Sequence, residues 1–177
     1  MLYLNSGLSF GNLSGGQFGV NYFSGRKFSL QMEYSATARK AKNTPDDYSG
    51  GLFSLFAFNA NAPKDMARSF RIMPGIVSKG KPGGKLRMNY KAGVSLLTLK
   101  EPVNYVSDPM GGFLLAPNYT WDYQTKNQVG VVLKTDFEII AGKFVGMSIS
   151  PCLEIAHITS FAVAINLLVG KVEESDE

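Results

Sequence analysis

Apolar and polar residues alternate along most of this chain, and this two-residue period is the feature that most limits its fold. In FSLQMEYSA, for example, apolar or aromatic side chains occupy every second position from Phe28 to Tyr34, with polar ones between. Successive side chains of a β-strand point to opposite faces, whereas a helix would scatter these apolar side chains around its axis. About ten such segments, separated by turn-forming residues, predict about ten strands.

The predicted strands follow one another, and no long helical segment is predicted between them. Left in an open sheet, they would leave two hydrogen-bonding edges unpaired, so the sheet is expected to close. The sequence therefore predicts an all-β chain that forms a closed, antiparallel, up-and-down β-barrel. Residues 1–172 are predicted to form this single domain, and 173–177 an acidic C-terminal tail. The strands are predicted at residues 2–11, 15–23, 27–39, 51–60, 69–79, 86–97, 112–123, 128–140, 144–157 and 160–170.

The two faces of the predicted strands differ in residue size, which indicates the face that lines the barrel. The polar face is dominated by Gly, Ser, Asn and Ala, whereas a water-facing surface normally carries many charges. Charged residues make up only 18% of the chain, against about 25% in a typical soluble domain. Segments of about 10 to 13 residues also suit a bilayer crossing. We therefore expect a transmembrane barrel with its apolar face toward lipid; the alternative is a soluble barrel that binds an apolar ligand.

Repeated patterns such as FSLQMEYSA and the last predicted strand, SFAVAINLLVGKV, resemble a known superfamily over nearly all of residues 2–172. This is the outer-membrane β-barrel superfamily of Gram-negative bacteria, in particular the small OmpA- and OmpX-like barrels. The resemblance implies location in the bacterial outer membrane, an even number of strands and both termini in the periplasm. The first residues show no secretion signal, so either a signal was removed before residue 1 or the chain is not exported.

The predicted strand number decides on which side of the membrane each connection lies. Ten strands place NAPKD (61–65) and EPVNYVSDPMG (101–111) in the periplasm, and GKPGG (80–84) and QTKN (124–127) outside. Because residues 101–111 are long for a periplasmic turn, an eight-strand barrel with this region as an external loop is the alternative.

The polar face collects eight charged side chains, with the cations mainly on the fifth and sixth predicted strands and the anions mainly on the eighth and ninth. An unpaired buried charge costs several kcal/mol, so opposite charges in a narrow lumen are expected to pair. The sequence thus predicts a salt-bridged, mostly plugged lumen, with a narrow path for solutes or protons as the alternative. The predicted lumen network comprises Glu33, Arg71, Arg87, Lys91, Lys134, Asp136, Glu138 and Glu154.

Three aromatic residues, Tyr119, Trp121 and Tyr123, alternate near the end of one predicted strand, and we predict that they lie at the membrane interface. The single histidine, His157, is three residues from Glu154, so the two side chains point to opposite faces of a strand. No catalytic residues are legible, and one His with one Cys is too few for a metal site.

These patterns together predict a protein that is not an enzyme and needs no cofactor. The net charge of +4 is not concentrated with aromatic residues, which argues against nucleic-acid binding. The expected partners are membrane lipid and other envelope proteins. A structural, adhesion or accessory role in the cell envelope is the predicted function, with the apolar-ligand barrel and a narrow solute channel as alternatives.

Overall fold

The computed structural model describes residues 1–24, 27–51, 62–79, 85–108 and 117–172. Each strand in these ranges is paired with its neighbour along the chain, and the last strand pairs antiparallel with the first. The prediction of an all-β chain forming a closed, antiparallel, up-and-down barrel is therefore confirmed. Its strands are β1 (Leu2–Gly11), β2 (Ser14–Ser24), β3 (Phe28–Lys40), β4 (Lys64–Lys79), β5 (Leu86–Ser107), β6 (Tyr119–Ile140), β7 (Val145–Ile155) and β8 (Thr159–Gly170).

The barrel has eight strands, so the ten-strand prediction was wrong and the eight-strand alternative is confirmed. The predicted turn QTKN, residues 124–127, lies inside β6, which is a single strand of 22 residues. These four residues are polar without alternation, and a polar strand has the composition of a turn when it is read from sequence alone. Most of the fourth predicted strand, residues 52–60, lies outside the described residues.

The membrane sides predicted for several connections depended on the ten-strand count, which the barrel does not have. β4 ends, and β5 begins, at the end of the barrel that holds the termini, where the Ile140 N–H donates to the Lys85 carbonyl at 2.8 Å. Residues 80–84 lie outside the described residues, and their position outside the membrane stays a prediction. Residues 64–65 begin β4 and residues 101–107 end β5. The side of the membrane on which 61–65 and 101–111 lie stays a prediction.

The two faces of the barrel wall are chemically opposite. Val131 is 53% exposed, whereas the next residue, Val132, is fully buried inside. Large apolar side chains cover the outer face of every strand from β1 to β8, while polar and charged side chains predominate among the buried ones. This arrangement follows directly from the two-residue period of the sequence. The fully or almost fully buried polar side chains include Asn5, Asn21, Gln31, Asn89, Ser95, Ser150 and Asn166.

The chain divides into two compact units. The first comprises residues 1–37, 67–98 and 127–177, and the second comprises 38–66 and 99–126. In the first unit, Tyr3, Phe23, Val77, Leu168 and Val172 form a small apolar cluster near the two termini. In the described ranges, no helix is long and apolar enough to cross a membrane. The predicted tail, residues 173–177, lies outside the described residues, and the single-domain assignment stays a prediction.

Candidate functional site

The first unit contains a buried network of charged side chains that centres on Glu33 of β3. Its carboxylate accepts hydrogen bonds from Arg71 Nη1 of β4 at 2.9 Å and from Lys134 Nζ of β6 at 2.5 Å. Two neutral amides, Gln31 Nε2 at 2.8 Å and Asn5 Nδ2 at 3.4 Å, donate to the same carboxylate. Four strands thus meet at one side chain that is only 1% exposed.

Arg71 continues the network toward β7. Its second terminal nitrogen, Nη2, donates to Glu154 Oε2 at 2.6 Å, while the Ser69 hydroxyl donates to Glu154 Oε1 at 2.6 Å. A guanidinium group presents its donors in a fixed fork, so Arg71 can hold two carboxylates apart and neutralise both. Glu33 and Glu154 are therefore linked through one cation.

Lys91 of β5 extends the network on the other side. Its ammonium group pairs with Asp136 of β6 and donates to Asn21 Oδ1 at 2.8 Å and Gln31 Oε1 at 2.6 Å. All three donors of a lysine ammonium thus have acceptors. Lys134 Nζ lies 3.7 Å from Asp136 Oδ1, which joins this pair to the Glu33 group.

A second buried group lies near the apolar cluster at the termini. Arg87 Nε donates to Glu138 Oε2 at 2.6 Å, and the Tyr3 hydroxyl donates to Glu138 Oε1 at 2.5 Å. The Arg87 guanidinium carbon lies 4.4 Å from the ring centre of Phe23, a cation–π contact that suits a desolvated arginine. Arg87 Nη1 also donates to the Val172 carbonyl at 3.0 Å, which ties the end of the described chain to the lumen.

The eight charged residues predicted for the lumen all lie in the first unit, and each is at most 7% exposed. Four of them are cations and four are anions, so their formal charges cancel. Six form one connected group, and Arg87 with Glu138 forms the second. Each of the eight charges thus has a partner of opposite charge within the lumen.

Sequence reasoning missed several neutral members of this network. Tyr3 is the clearest example, because a tyrosine between two leucines reads as part of an apolar face. Its position in the alternation nevertheless indicated the lumen face, since Tyr3 is two residues from Asn5 and lies on the face opposite to Leu2 and Leu4. The phase of Gln31 likewise places it on the same face as Glu33.

The predicted interfacial aromatics lie in the second unit, where two of them belong to a larger cluster. The ring centre of Trp121 lies 6.1 Å from that of Tyr48 and 6.2 Å from that of Tyr105, which in turn lies 6.4 Å from that of Tyr119. Tyr123 is 43% exposed. Their place at a membrane interface stays a prediction.

A short polar contact fixes residues 43–49 to β6 in the same unit. The Tyr119 hydroxyl lies 2.9 Å from both carboxylate oxygens of Asp47, to which it donates. This hydrogen bond raises the pKa of Tyr119 above its usual value, because the bond favours the protonated phenol. Asn118 Nδ2 donates to the Asp47 carbonyl at 2.8 Å, and the Asn118 carbonyl oxygen Oδ1 accepts from the Ser49 N–H at 2.7 Å.

The remaining chemically reactive side chains lie apart from one another. His157 is exposed in the turn between β7 and β8, whereas Glu154 is buried on the lumen face. Cys152 is a buried free thiol on the same face as Glu154. Among the described residues, no group of three His, Cys, Asp or Glu side chains is arranged to hold a metal ion.

A closed barrel with an apolar outer face and a charged, buried interior is the arrangement of a transmembrane β-barrel. Such a barrel has no unpaired edge, and its outer face contacts lipid rather than water. The fold and the lumen chemistry therefore place the chain in this class.

Known structures agree with this class. No protein-family model and no curated protein sequence matches the chain. Its fold is similar to that of neisserial surface protein A, with a TM-score of 0.55 and 10% identity over 96% of each chain. It is also similar to the N-terminal β-barrel domain of OprF from Pseudomonas aeruginosa, with a TM-score of 0.54 and 12% identity over 95% of each chain.

A third similar structure is that of Ail, the attachment invasion locus protein of Yersinia pestis. It matches with a TM-score of 0.54 and 6% identity, over 96% of this chain and 95% of that one. At such low identities the similarity is one of fold. The predicted resemblance to the small outer-membrane β-barrels is confirmed at that level.

Proposed function

We propose that this protein is a non-conducting β-barrel of the bacterial outer membrane that displays its second unit for attachment at the cell surface. Both the outer-membrane fold and the exposed apolar belt support the membrane location. The observation that carries the non-conducting lumen is the buried network around Glu33. It neutralises its own charges across the first unit, as a static interior requires and a water-filled pore does not.

Conductance tests the sealed lumen. Purified barrel in planar bilayers is expected to show no stable single-channel steps at either polarity. A variant in which Glu33, Arg71 and Lys134 are all replaced by serine is expected to conduct where it folds, because three long side chains leave the lumen. Stable steps from the unaltered protein would overturn the sealed lumen and favour the narrow channel.

Extraction tests the membrane location. Expressed with a secretion signal in a Gram-negative host, the chain is expected to remain in the outer-membrane fraction after a urea wash and to need detergent for release. Partition into aqueous buffer without detergent, as a monodisperse species, would contradict membrane insertion and favour the soluble barrel that binds an apolar ligand.

The lengths of β5 and β6 support the display of the second unit. Each strand has 22 residues, whereas a bilayer crossing needs about 9 to 11. The surplus residues, 99–107 and 119–126, belong to the second unit. The printed name of Ail, an attachment protein, supports the idea that such a barrel can serve attachment.

The attachment role is non-catalytic in this proposal, and it can be tested on cells. Bacteria that display the unaltered barrel are expected to adhere to host-cell or abiotic surfaces more than cells with empty vector. Replacing Tyr105, Tyr119 and Trp121 by alanine is expected to lower adherence without lowering the amount of folded barrel. Equal adherence by all three strains would overturn the attachment role and leave the membrane location standing.

A further inference from the structure

A groove of about 640 Å³ lies on the outer wall of the first unit. The groove lies among the exposed apolar side chains of the outer face, since Thr135 lies between Leu133 and Phe137, which are 47% and 37% exposed. Small residues and two prolines separate its large side chains. Its outward-facing lining includes Tyr90, Leu133 and Phe161, with the smaller Pro74, Thr135 and Pro151 between them.

Pro151 of β7 interrupts the hydrogen bonding between β6 and β7. Lys134 faces Cys152 in this pair of strands, so Thr135 lies opposite Pro151. The pairing observed between the two strands skips this position and the next, and resumes at Phe137. The break in the ladder thus coincides with the groove.

A hydrogen bond at the end of the same strand pair shows which backbone carbonyl lacks a donor. The Ala141 N–H donates to the Val145 carbonyl at 3.1 Å, so odd-numbered residues of β6 and β7 direct their backbone groups toward each other. Thr135 and Pro151 are both odd-numbered. Proline has no N–H, and Pro151 therefore cannot donate to the Thr135 carbonyl.

Pro74 of β4 interrupts the hydrogen bonding between β4 and β5 in the same way. A Cβ atom on Gly93 would lie 2.7 Å from the Cα of Met73, so these residues form a close pair, and Pro74 lies opposite Ala92. Close pairs alternate with hydrogen-bonded pairs in an antiparallel ladder, which makes Pro74 and Ala92 a hydrogen-bonded position. Pro74 cannot donate to the Ala92 carbonyl for the same reason.

Two backbone carbonyls on adjacent strands thus lack ladder donors in one lipid-facing groove. Hydrocarbon supplies no water to satisfy them, and an unpaired backbone group there is costly. We propose that this groove binds a lipid whose apolar chain carries a hydroxyl group, which donates to the carbonyl of Thr135 or Ala92. The chain itself packs against Tyr90 and Phe161. The proposal rests on the membrane insertion proposed above.

The groove's own chemistry favours this ligand. Its outward side chains carry no charge, because Lys91 and Lys134 point into the lumen, where they are paired. A neutral ligand is therefore expected. The Thr135 hydroxyl adds a group that can donate or accept beside the carbonyls. A saturated chain would fill the same space but would leave both carbonyls without a donor.

Lipid retention tests the proposal with probes that differ by one hydroxyl. Barrel in mixed micelles is offered equal amounts of phosphatidylcholine with a 12-hydroxystearoyl chain and with a stearoyl chain, and native mass spectrometry counts the bound lipids. We expect the hydroxylated lipid to be retained roughly fivefold more, the ratio of about one net hydrogen bond. Equal retention, or no retention of either lipid, would overturn the proposal.

Variants test whether the two carbonyls cause the preference for the hydroxylated lipid. Pro151→Ala and Pro74→Ala together restore both N–H donors, so the preference for the hydroxylated lipid is expected to fall to near one. Leu167→Ala, on the lipid-facing side of β8 and outside the groove, is the control and should keep it. A preference that survives the double alanine variant would sink the carbonyl assignment. Vesicle insertion of each sample is measured in parallel, because failure to insert would sink the proposed function instead.

Discussion

Lys134 of β6 donates to Glu33 of β3 at 2.5 Å, although 101 residues separate them along the chain. Both side chains are completely buried. Strands β3 and β6 are not neighbours in the sheet, so only closure of the barrel brings these charges together. The ion pair therefore makes the stability of the barrel depend on its closure.

Lys134→Met is expected to destabilise the barrel by about 3–5 kcal/mol, because it leaves Glu33 and Asp136 short of a buried cation. Urea unfolding in detergent micelles or vesicles measures the loss. The matched control is Lys126→Met in the second unit, where the Lys126–Glu101 pair at 2.8 Å is partly exposed and should be worth less than about 1 kcal/mol. Equal losses for the two variants would contradict the dependence on burial.

Tyr3→Phe is expected to lower the free energy of unfolding by roughly 1.5–3 kcal/mol, the range for a hydrogen bond to a charged group. The change removes only the hydroxyl that donates to Glu138. Tyr22→Phe, on the lipid-facing side of β2 at 52% exposed, is the control and should have little effect. A smaller loss for Tyr3 than for Tyr22 would contradict the assigned hydrogen bond.

Gly7→Ala is expected to destabilise the barrel by about 1–3 kcal/mol, as overpacking does. A Cβ atom at this position would lie 2.1 Å from the Ile165 carbonyl oxygen of β8, so the backbone itself must move. Gly16→Ala in the adjacent strand is the control, since its Cβ would meet nothing closer than 3.8 Å. The same unfolding measurement decides, and similar losses for both variants would contradict the close approach of β1 and β8.

Asp47→Ala is expected to speed tryptic cleavage after Lys40 and Lys42 without changing the unfolding of the barrel. The carboxylate accepts the Tyr119 hydrogen bond that fixes this segment to β6. Limited proteolysis followed by mass spectrometry measures the rate. Asp46→Ala, at the neighbouring exposed position, should leave cleavage unchanged, and equal acceleration by both variants would contradict the role of the Asp47 contact.

The small size of the residues on the polar face predicted that the apolar face points outward. The alternation itself was enough to predict a closed barrel, because a strand's two-residue period needs no tertiary information. It was not enough to predict the strand number. Gln124 to Asn127 are polar at every position, so they have the composition of a turn, yet backbone pairing keeps them in β6. Polar strand and polar loop look alike wherever a strand has no apolar face.

The hydrogen-bonding partners within the lumen could not be predicted from the sequence, for a different reason. Alternation gives the face on which Glu138 lies, but Tyr3, its hydrogen-bonding partner, is 135 residues away. Which residues share a level of the barrel depends on the register of every intervening strand. A prediction that uses ten strands in place of eight cannot assign those levels.

Quenching of tryptophan fluorescence by lipids brominated on their acyl chains tests most directly which face meets the bilayer. Trp121 is the single tryptophan, so Trp121→Phe gives a silent background for one new tryptophan at a time. Phe161→Trp places it at a position 54% exposed on the outer face, and Phe23→Trp at one 3% exposed inside. Strong quenching at 161 and little at 23 is the predicted result; equal quenching, or stronger quenching at 23, would contradict a lipid-facing apolar wall around a polar interior.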